Sequence, residues 1–106
     1  MLMKAFTKKG GYSTATALDY VSLENPIYTL SIELEARYEY VDGKSTGNII
    51  AYSAWFVQEG TGPFKVKFEN KIKLPAFLSP VTLEDLEAVV VNYTVYFRAK
   101  NIIPVS

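Results

Sequence analysis

Apolar and charged side chains alternate along much of this sequence, and that period of two constrains the fold more than any other feature. Phe64, Val66 and Phe68, for example, alternate with Lys65 and Lys67. A strand with one buried and one solvated face produces this pattern. The alternation predicts strands over residues 27–41, 48–57, 64–74 and 93–100, and a turn at Glu69-Asn70 could divide the third of these into two. It also predicts two short strands within residues 81–91 that are separated by a bend after residue 84.

The predicted strands are joined by segments that favour turns. Residues 42–47 are rich in Asp, Gly, Ser and Lys, residues 58–63 read as a hairpin loop, and residues 20–23 could begin a further strand. The sequence therefore predicts an all-β domain over residues 1–106, built as a small antiparallel barrel or sandwich with no helix longer than about two turns. We expect residues 1–11 to form a mobile arm.

The alternating faces also predict the core. Because residues 48–57 are apolar on both faces, we expect a central strand there that is covered on both sides. Elsewhere the apolar face of each strand should be buried. The predicted core residues are Ile32, Leu34, Phe64, Val66, Phe68, Val95 and Phe97.

Composition excludes several classes of function. The chain has eleven basic and eleven acidic residues, no histidine and no cysteine. It therefore lacks the commonest general base, the commonest transition-metal ligand and any thiol nucleophile. We predict a binding protein that is not an enzyme and has no cofactor. The lack of disulfides fits a reducing cytoplasm, and the absence of a long apolar run argues against a membrane span or signal peptide.

Two motifs resemble a phosphate loop and a metal site, but neither meets the requirements of such a site. Gly43-Lys44-Ser45 resembles part of a phosphate loop, but Tyr38 occupies the position of the required earlier glycine, and a strand follows instead of a helix. Glu33, Glu35 and Glu39 form an acidic row on one strand. Since hard cations need oxygens that converge from several segments, this row is better explained as a solvated face.

The most suggestive pattern combines basic and aromatic residues on polar strand faces. Proteins that bind single-stranded nucleic acid pair a basic groove with aromatic rings on which bases stack. We therefore predict that these residues converge on one DNA-binding surface and that the acidic rows at 33–39 and 84–87 face elsewhere. The predicted nucleic-acid-binding residues are Lys65, Lys67, Lys71, Lys73, Tyr96, Arg98 and Lys100.

Three stretches also resemble a known family. They are residues 42–52 (DGKSTGNIIAY), residues 62–67 (GPFKVK) and residues 95–102 (VYFRAKNI). Together they resemble small β-rich accessory proteins from the transfer and replication modules of Gram-positive integrative conjugative elements and related plasmids. The resemblance implies an accessory role in DNA processing. It also implies an oligonucleotide-binding-type barrel and a helicase or relaxase as partner, since one family member is regarded as a helicase processivity factor.

A second hypothesis stays open at this point. The chain could be a protein-interaction module of a transfer or replication complex that makes no contact with nucleic acid. Such a module could add an edge strand to its partner.

Overall fold

β-Strands are the main secondary structure of the residues that the structure describes. The computed structural model describes residues 11–105, so the predicted arm lies outside the described residues except for Gly11. One helix of five residues precedes the strands, which confirms both the all-β class and the limit on helix length. The elements are α1 (Thr14–Leu18), β1 (Ile27–Thr29), β2 (Glu35–Val41), β3 (Lys44–Gln58), β4 (Gly62–Phe68), β5 (Pro80–Glu84), β6 (Glu87–Val91), β7 (Thr94–Arg98) and β8 (Asn101–Pro104).

Helix α1 begins at a polar cap. The Ser13 hydroxyl accepts the backbone N–H of Thr16 at 3.1 Å, and Ala17 is fully buried against the sheet. The chain then turns, so the strand that residues 20–23 suggested is wrong. Serine caps stabilise helices by satisfying a free N–H of the first turn.

All eight strands belong to one sheet in the order β6-β7-β4-β3-β1-β5-β8, with β2 also paired to β3. Strands β4 and β7 run parallel, and the other neighbours are antiparallel. The end strands β6 and β8 do not pair with each other within residues 11–105. The sheet is therefore open and mixed. The predicted all-β class is confirmed, but the barrel is not closed and the strands are not all antiparallel. A period of two identifies faces but carries no information about which strands become neighbours.

Two hairpins turn through residues with left-handed backbone conformation. Asp42 and Gly43 have φ of +53° and +79°, and Asn92 and Tyr93 have φ of +50° and +69°. Two-residue turns of this kind match the twist of the strands that they join. Strand β3 consequently begins at Lys44, earlier than the sequence predicts. The two short strands around a bend, β5 and β6, are confirmed.

Phenylalanine rings from three strands form the centre of the core. Phe56 lies 6.1 Å from Phe64 and 6.3 Å from Phe68, and Phe64 lies 5.2 Å from Phe97, measured between ring centroids. The predicted burial of Phe64, Val66, Phe68 and Phe97 is confirmed. Leu34 and Val95 are only partly buried, and both pack against the core.

Ile32 is a wrong core prediction, because its side chain is 83% exposed. The strand expected over residues 27–41 is interrupted at residues 30–34. There the Trp55 N–H donates to the Ser31 hydroxyl at 2.8 Å, so a side chain replaces the backbone partner and the alternation is lost.

A buried amide ties the segment before β1 to strand β3. Gln58 donates through Nε2 to the carbonyls of Ser22 at 2.7 Å and Asn25 at 2.9 Å. Its Oε1 accepts the Ser22 N–H at 2.8 Å and the Thr61 hydroxyl at 3.2 Å. Every polar atom of this 1% exposed side chain therefore has a partner.

The β2–β3 hairpin forms a ribbon that extends beyond the rest of the sheet. Strand β4 pairs with β3 only as far as Tyr52, so among the described residues β2 is the only strand that pairs with residues 44–51 of β3. Residues 40–50 are all exposed, and the predicted cover on both faces of residues 48–57 is wrong at this end. The ribbon carries five exposed large apolar side chains, namely Tyr38, Tyr40, Val41, Ile49 and Ile50.

Candidate nucleic-acid interface

The side of the sheet opposite the phenylalanine core presents aromatic and basic side chains on three neighbouring strands. Trp55 of β3 is opposite Lys65 of β4, and Lys67 of β4 is beside Arg98 of β7. The same register places Tyr96 beside Lys65. We call this surface the outer face, and it consists of Trp55, Lys65, Lys67, Tyr96 and Arg98.

The rings of the outer face are accessible. Trp55 is 40% exposed and Tyr96 is 49% exposed, whereas their chain neighbours Phe56 and Phe97 are buried on the other side. In a pleated strand successive side chains point to opposite faces, which explains this division. Trp55, Lys65 and Tyr96 thus form a row across adjacent strands, in which the backbones of Trp55 and Tyr96 are two strand spacings, or about 10 Å, apart.

Tyr12 joins the outer face from the N-terminal side. Ser13 exchanges two backbone hydrogen bonds with Ala88, at 2.9 and 3.0 Å, and this bridge holds the preceding residue over the sheet. The guanidinium carbon of Arg98 lies 4.2 Å from the Tyr12 ring centroid, and Lys67 Nζ lies 5.8 Å from it. Lys65 Nζ is 5.9 Å from the Trp55 ring. Contacts of this length between cations and rings are attractive and hold the basic groups in place.

Carboxylates share the outer face, so the prediction that the acidic rows face elsewhere is wrong. Glu87 Oε1 lies 2.8 Å from Arg98 Nε, and Glu35 Oε1 lies 3.4 Å from Lys65 Nζ. Strand register is the reason, because Glu87 is opposite Arg98 and Glu35 is opposite Ser53 in the strand next to Lys65. Within residues 11–105, the ion pairs of this face leave Lys67 without a carboxylate partner.

The remaining predicted residues do not lie on strands. Strand β4 ends at Phe68, so Lys71 and Lys73 belong to the irregular segment of residues 69–79, contrary to the predicted strand. Lys100 follows β7, and its backbone N–H donates to the Glu84 carbonyl at 2.8 Å.

A shallow depression of about 180 Å³ brings Lys67, Arg98 and Lys100 together, but Glu69, Asp85 and Glu87 also line it. This depression is therefore balanced in charge.

The sequence pattern could not have identified Tyr12, Glu35 or Glu87 as part of this surface. Tyr12 precedes every predicted strand, and the two glutamates belong to rows that look like ordinary solvated faces. Their positions follow from which strands pair and in which register, and no periodicity reports that.

The described part of the chain shows no metal site and no membrane helix. No group of three or more Asp or Glu side chains in residues 11–105 is arranged to hold a metal ion. No helix in the same range is both long and apolar enough to cross a bilayer. Comparisons of the chain with known protein families, with curated proteins and with solved structures find no match.

Proposed function

We propose that this chain is a single-stranded DNA-binding protein without enzymatic activity and that the outer face is its binding surface. The observation that supports the proposal most is the row of Trp55, Lys65 and Tyr96, in which a cation lies between two accessible rings. Bases stacked on the two rings would place the intervening backbone over Lys65. Stacking on aromatic side chains is tolerant of sequence because every base has a π-face.

The charges of the outer face imply weak binding with a modest dependence on salt. To bind phosphates, Lys65 would have to release Glu35 and Arg98 would have to release Glu87. Lys67 could contact a phosphate directly. Three cationic contacts give a slope of about 2 log units of affinity per log unit of salt for single strands. Stacking should therefore contribute more to affinity than charge does.

Fluorescence anisotropy with a labelled oligothymidine at low and moderate salt tests this proposal. Trp55→Ala and Tyr96→Ala should each weaken binding by about 1–3 kcal/mol, because each removes a stacking platform. Tyr93→Ala is the matched control, since Tyr93 is fully exposed in the β6–β7 turn and outside the outer face.

The carboxylates that pair with Lys65 and Arg98 compete with DNA phosphates for these two cations. Glu35→Gln with Glu87→Gln should strengthen binding several-fold, because Lys65 and Arg98 would then be free for phosphates. No salt-sensitive binding at low salt, or equal losses in Tyr93→Ala and Tyr96→Ala, would refute the proposal.

In the setting that the family resemblance implies, the protein would act in the cytoplasm as an accessory factor of a mobile element. It would work beside a helicase or relaxase on the DNA strand that these enzymes expose. Binding through stacking, with little net charge, would allow the factor to move along or leave the strand easily.

The β2–β3 ribbon favours a second candidate function, in which the chain is a protein-interaction module. Soluble monomers seldom expose a continuous apolar surface without using it, and the ribbon carries exposed apolar residues on a two-stranded hairpin. If the ribbon binds the partner helicase or relaxase, the double substitution Tyr40→Ser with Ile50→Ser should abolish that complex and leave oligonucleotide binding unchanged.

A further inference from the structure

An apolar groove of about 600 Å³ lies on the opposite side of the β5–β6 turn from the depression beside the outer face. Its walls come from α1, the segment of residues 22–26 and strand β5. Six aliphatic side chains make its lining apolar, namely Leu18, Val21, Leu23, Leu83, Leu86 and Val105. Leu23 is 83% exposed, so the groove is open to solvent along this wall.

The groove exists because the chain before β1 is drawn away from β5. Gln58 accepts and donates hydrogen bonds with the backbone of Ser22 and Asn25, which holds this segment on the side of β3. Pro26 then precedes β1 and has no N–H to offer a neighbouring strand. A gap therefore remains between residues 22–26 and β5.

The same displacement leaves part of β5 without a strand on one side. Strand β1 pairs with β5 only through Tyr28–Pro80 and Ile27–Val81, so no strand within residues 11–105 lies beside residues 82–84 of β5 where β1 would continue. Strand β8 covers their other side. An unpaired strand edge is a template for a further strand.

The charges around the groove are all of one sign. Glu24 and Asp85 are the charged residues that line it, and no lysine or arginine among residues 11–105 does so. An apolar pocket beside a free strand edge, with two carboxylates at its rim, is complementary to an extended peptide that carries apolar and basic side chains. Added strands gain affinity from backbone hydrogen bonds and specificity from side-chain pockets.

We propose that this groove is a docking site for an extended segment of a partner protein, which pairs antiparallel with residues 82–84 of β5. Apolar side chains of the segment enter the groove, and a lysine or arginine of the segment meets Glu24 and Asp85. The site lies apart from the outer face and extends the function from binding DNA to recruiting a protein.

The test uses a fluorescein-labelled octapeptide of alternating leucine and lysine, with anisotropy as the readout. Glu24→Gln with Asp85→Asn should weaken binding several-fold, since each substitution removes one exposed ion pair with the peptide. Asparagine suits position 85 because Asp85 has a φ of +53°. Leu23→Ser should also weaken binding, and its exposure makes a folding defect unexpected.

Controls separate this site from non-specific attraction. Glu33→Gln with Glu59→Gln removes two exposed carboxylates elsewhere and should leave peptide binding unchanged. A peptide with glutamate in place of lysine, or with alternate backbone amides N-methylated, should not bind. Full binding of the N-methylated peptide, or equal losses in the two carboxylate pairs, would overturn the proposal. A dimer in sedimentation that Leu23→Ser dissociates would assign the groove to a second copy and overturn it as well.

Discussion

At the scale of single residues, Gln58 is a 1% exposed polar side chain that makes four hydrogen bonds. Three of its bonds connect β3 to Ser22 and Asn25, more than thirty residues earlier in the chain, and the fourth is to Thr61 in the turn that follows β3. A glutamine at the end of an apolar strand gives no sign of this role in the sequence. The contacts depend on where residues 22–25 fold back, which periodicity does not report.

We expect Gln58→Leu to destabilise the protein although it conserves volume. The substitution leaves the Ser22 N–H and the carbonyls of Ser22 and Asn25 without partners, and each buried unsatisfied group costs about 1–3 kcal/mol. Urea denaturation monitored by Trp55 fluorescence measures the change. Glu59→Gln, an exposed neighbour, is the control and should change stability by less than about 0.5 kcal/mol. An equally small effect of Gln58→Leu would show that water replaces the amide without loss.

At the scale of elements, the sequence pattern of the β2–β3 ribbon predicts its strands correctly but predicts the burial of its side chains wrongly. Four apolar residues of the ribbon have the sequence spacing of core residues, yet all four are exposed. They are Tyr38, Tyr40, Ile49 and Ile50. The Asp42-Gly43 turn was predictable, because these residues tolerate left-handed backbone conformations. The exposure was not, since it follows from β4 ending at Phe68 and leaving residues 44–51 uncovered.

A bulge modifies the free edge of this ribbon. Tyr38 pairs with Ile49 but Tyr40 pairs with Ser45, so extra residues of β3 are accommodated around Gly47, whose φ is +85°. The Glu39 carboxylate accepts the Thr46 hydroxyl at 3.0 Å within the bulge. Bulges twist an edge away from flat pairing, so the apolar faces of the ribbon are better suited to contact a partner than its edge.

Hydrogen exchange should reveal where β3 leaves the body of the sheet. We expect amides of residues 56–58, which have β1 on one side and β4 on the other, to exchange slowly and those of residues 44–50 to exchange orders of magnitude faster. Mass spectrometry of overlapping peptides across β3 resolves the boundary near Tyr52. Uniform protection along the whole strand would mean that the ribbon is covered in solution, for example by another chain.

At the scale of the whole molecule, the two faces of the sheet have different environments. The sheet has its phenylalanine core on one side and leaves Trp55, Tyr96 and their basic neighbours accessible on the other. Alternation in the sequence correctly placed Lys65, Lys67, Tyr96 and Arg98 on polar faces. It could not predict the parallel pairing of β4 with β7, which brings these residues into adjacent rows.

The central claim is that the outer face binds single-stranded DNA, and an NMR titration with oligothymidine tests it most directly. Amide and side-chain signals of Trp55, Lys65, Lys67, Tyr96 and Arg98 should shift with increasing DNA, and the shifts should shrink as salt is raised. Signals of Ile50 in the ribbon and Leu23 in the groove should stay unchanged and serve as internal controls. Shifts confined to the ribbon or the groove, or no shifts at low salt, would contradict the claim.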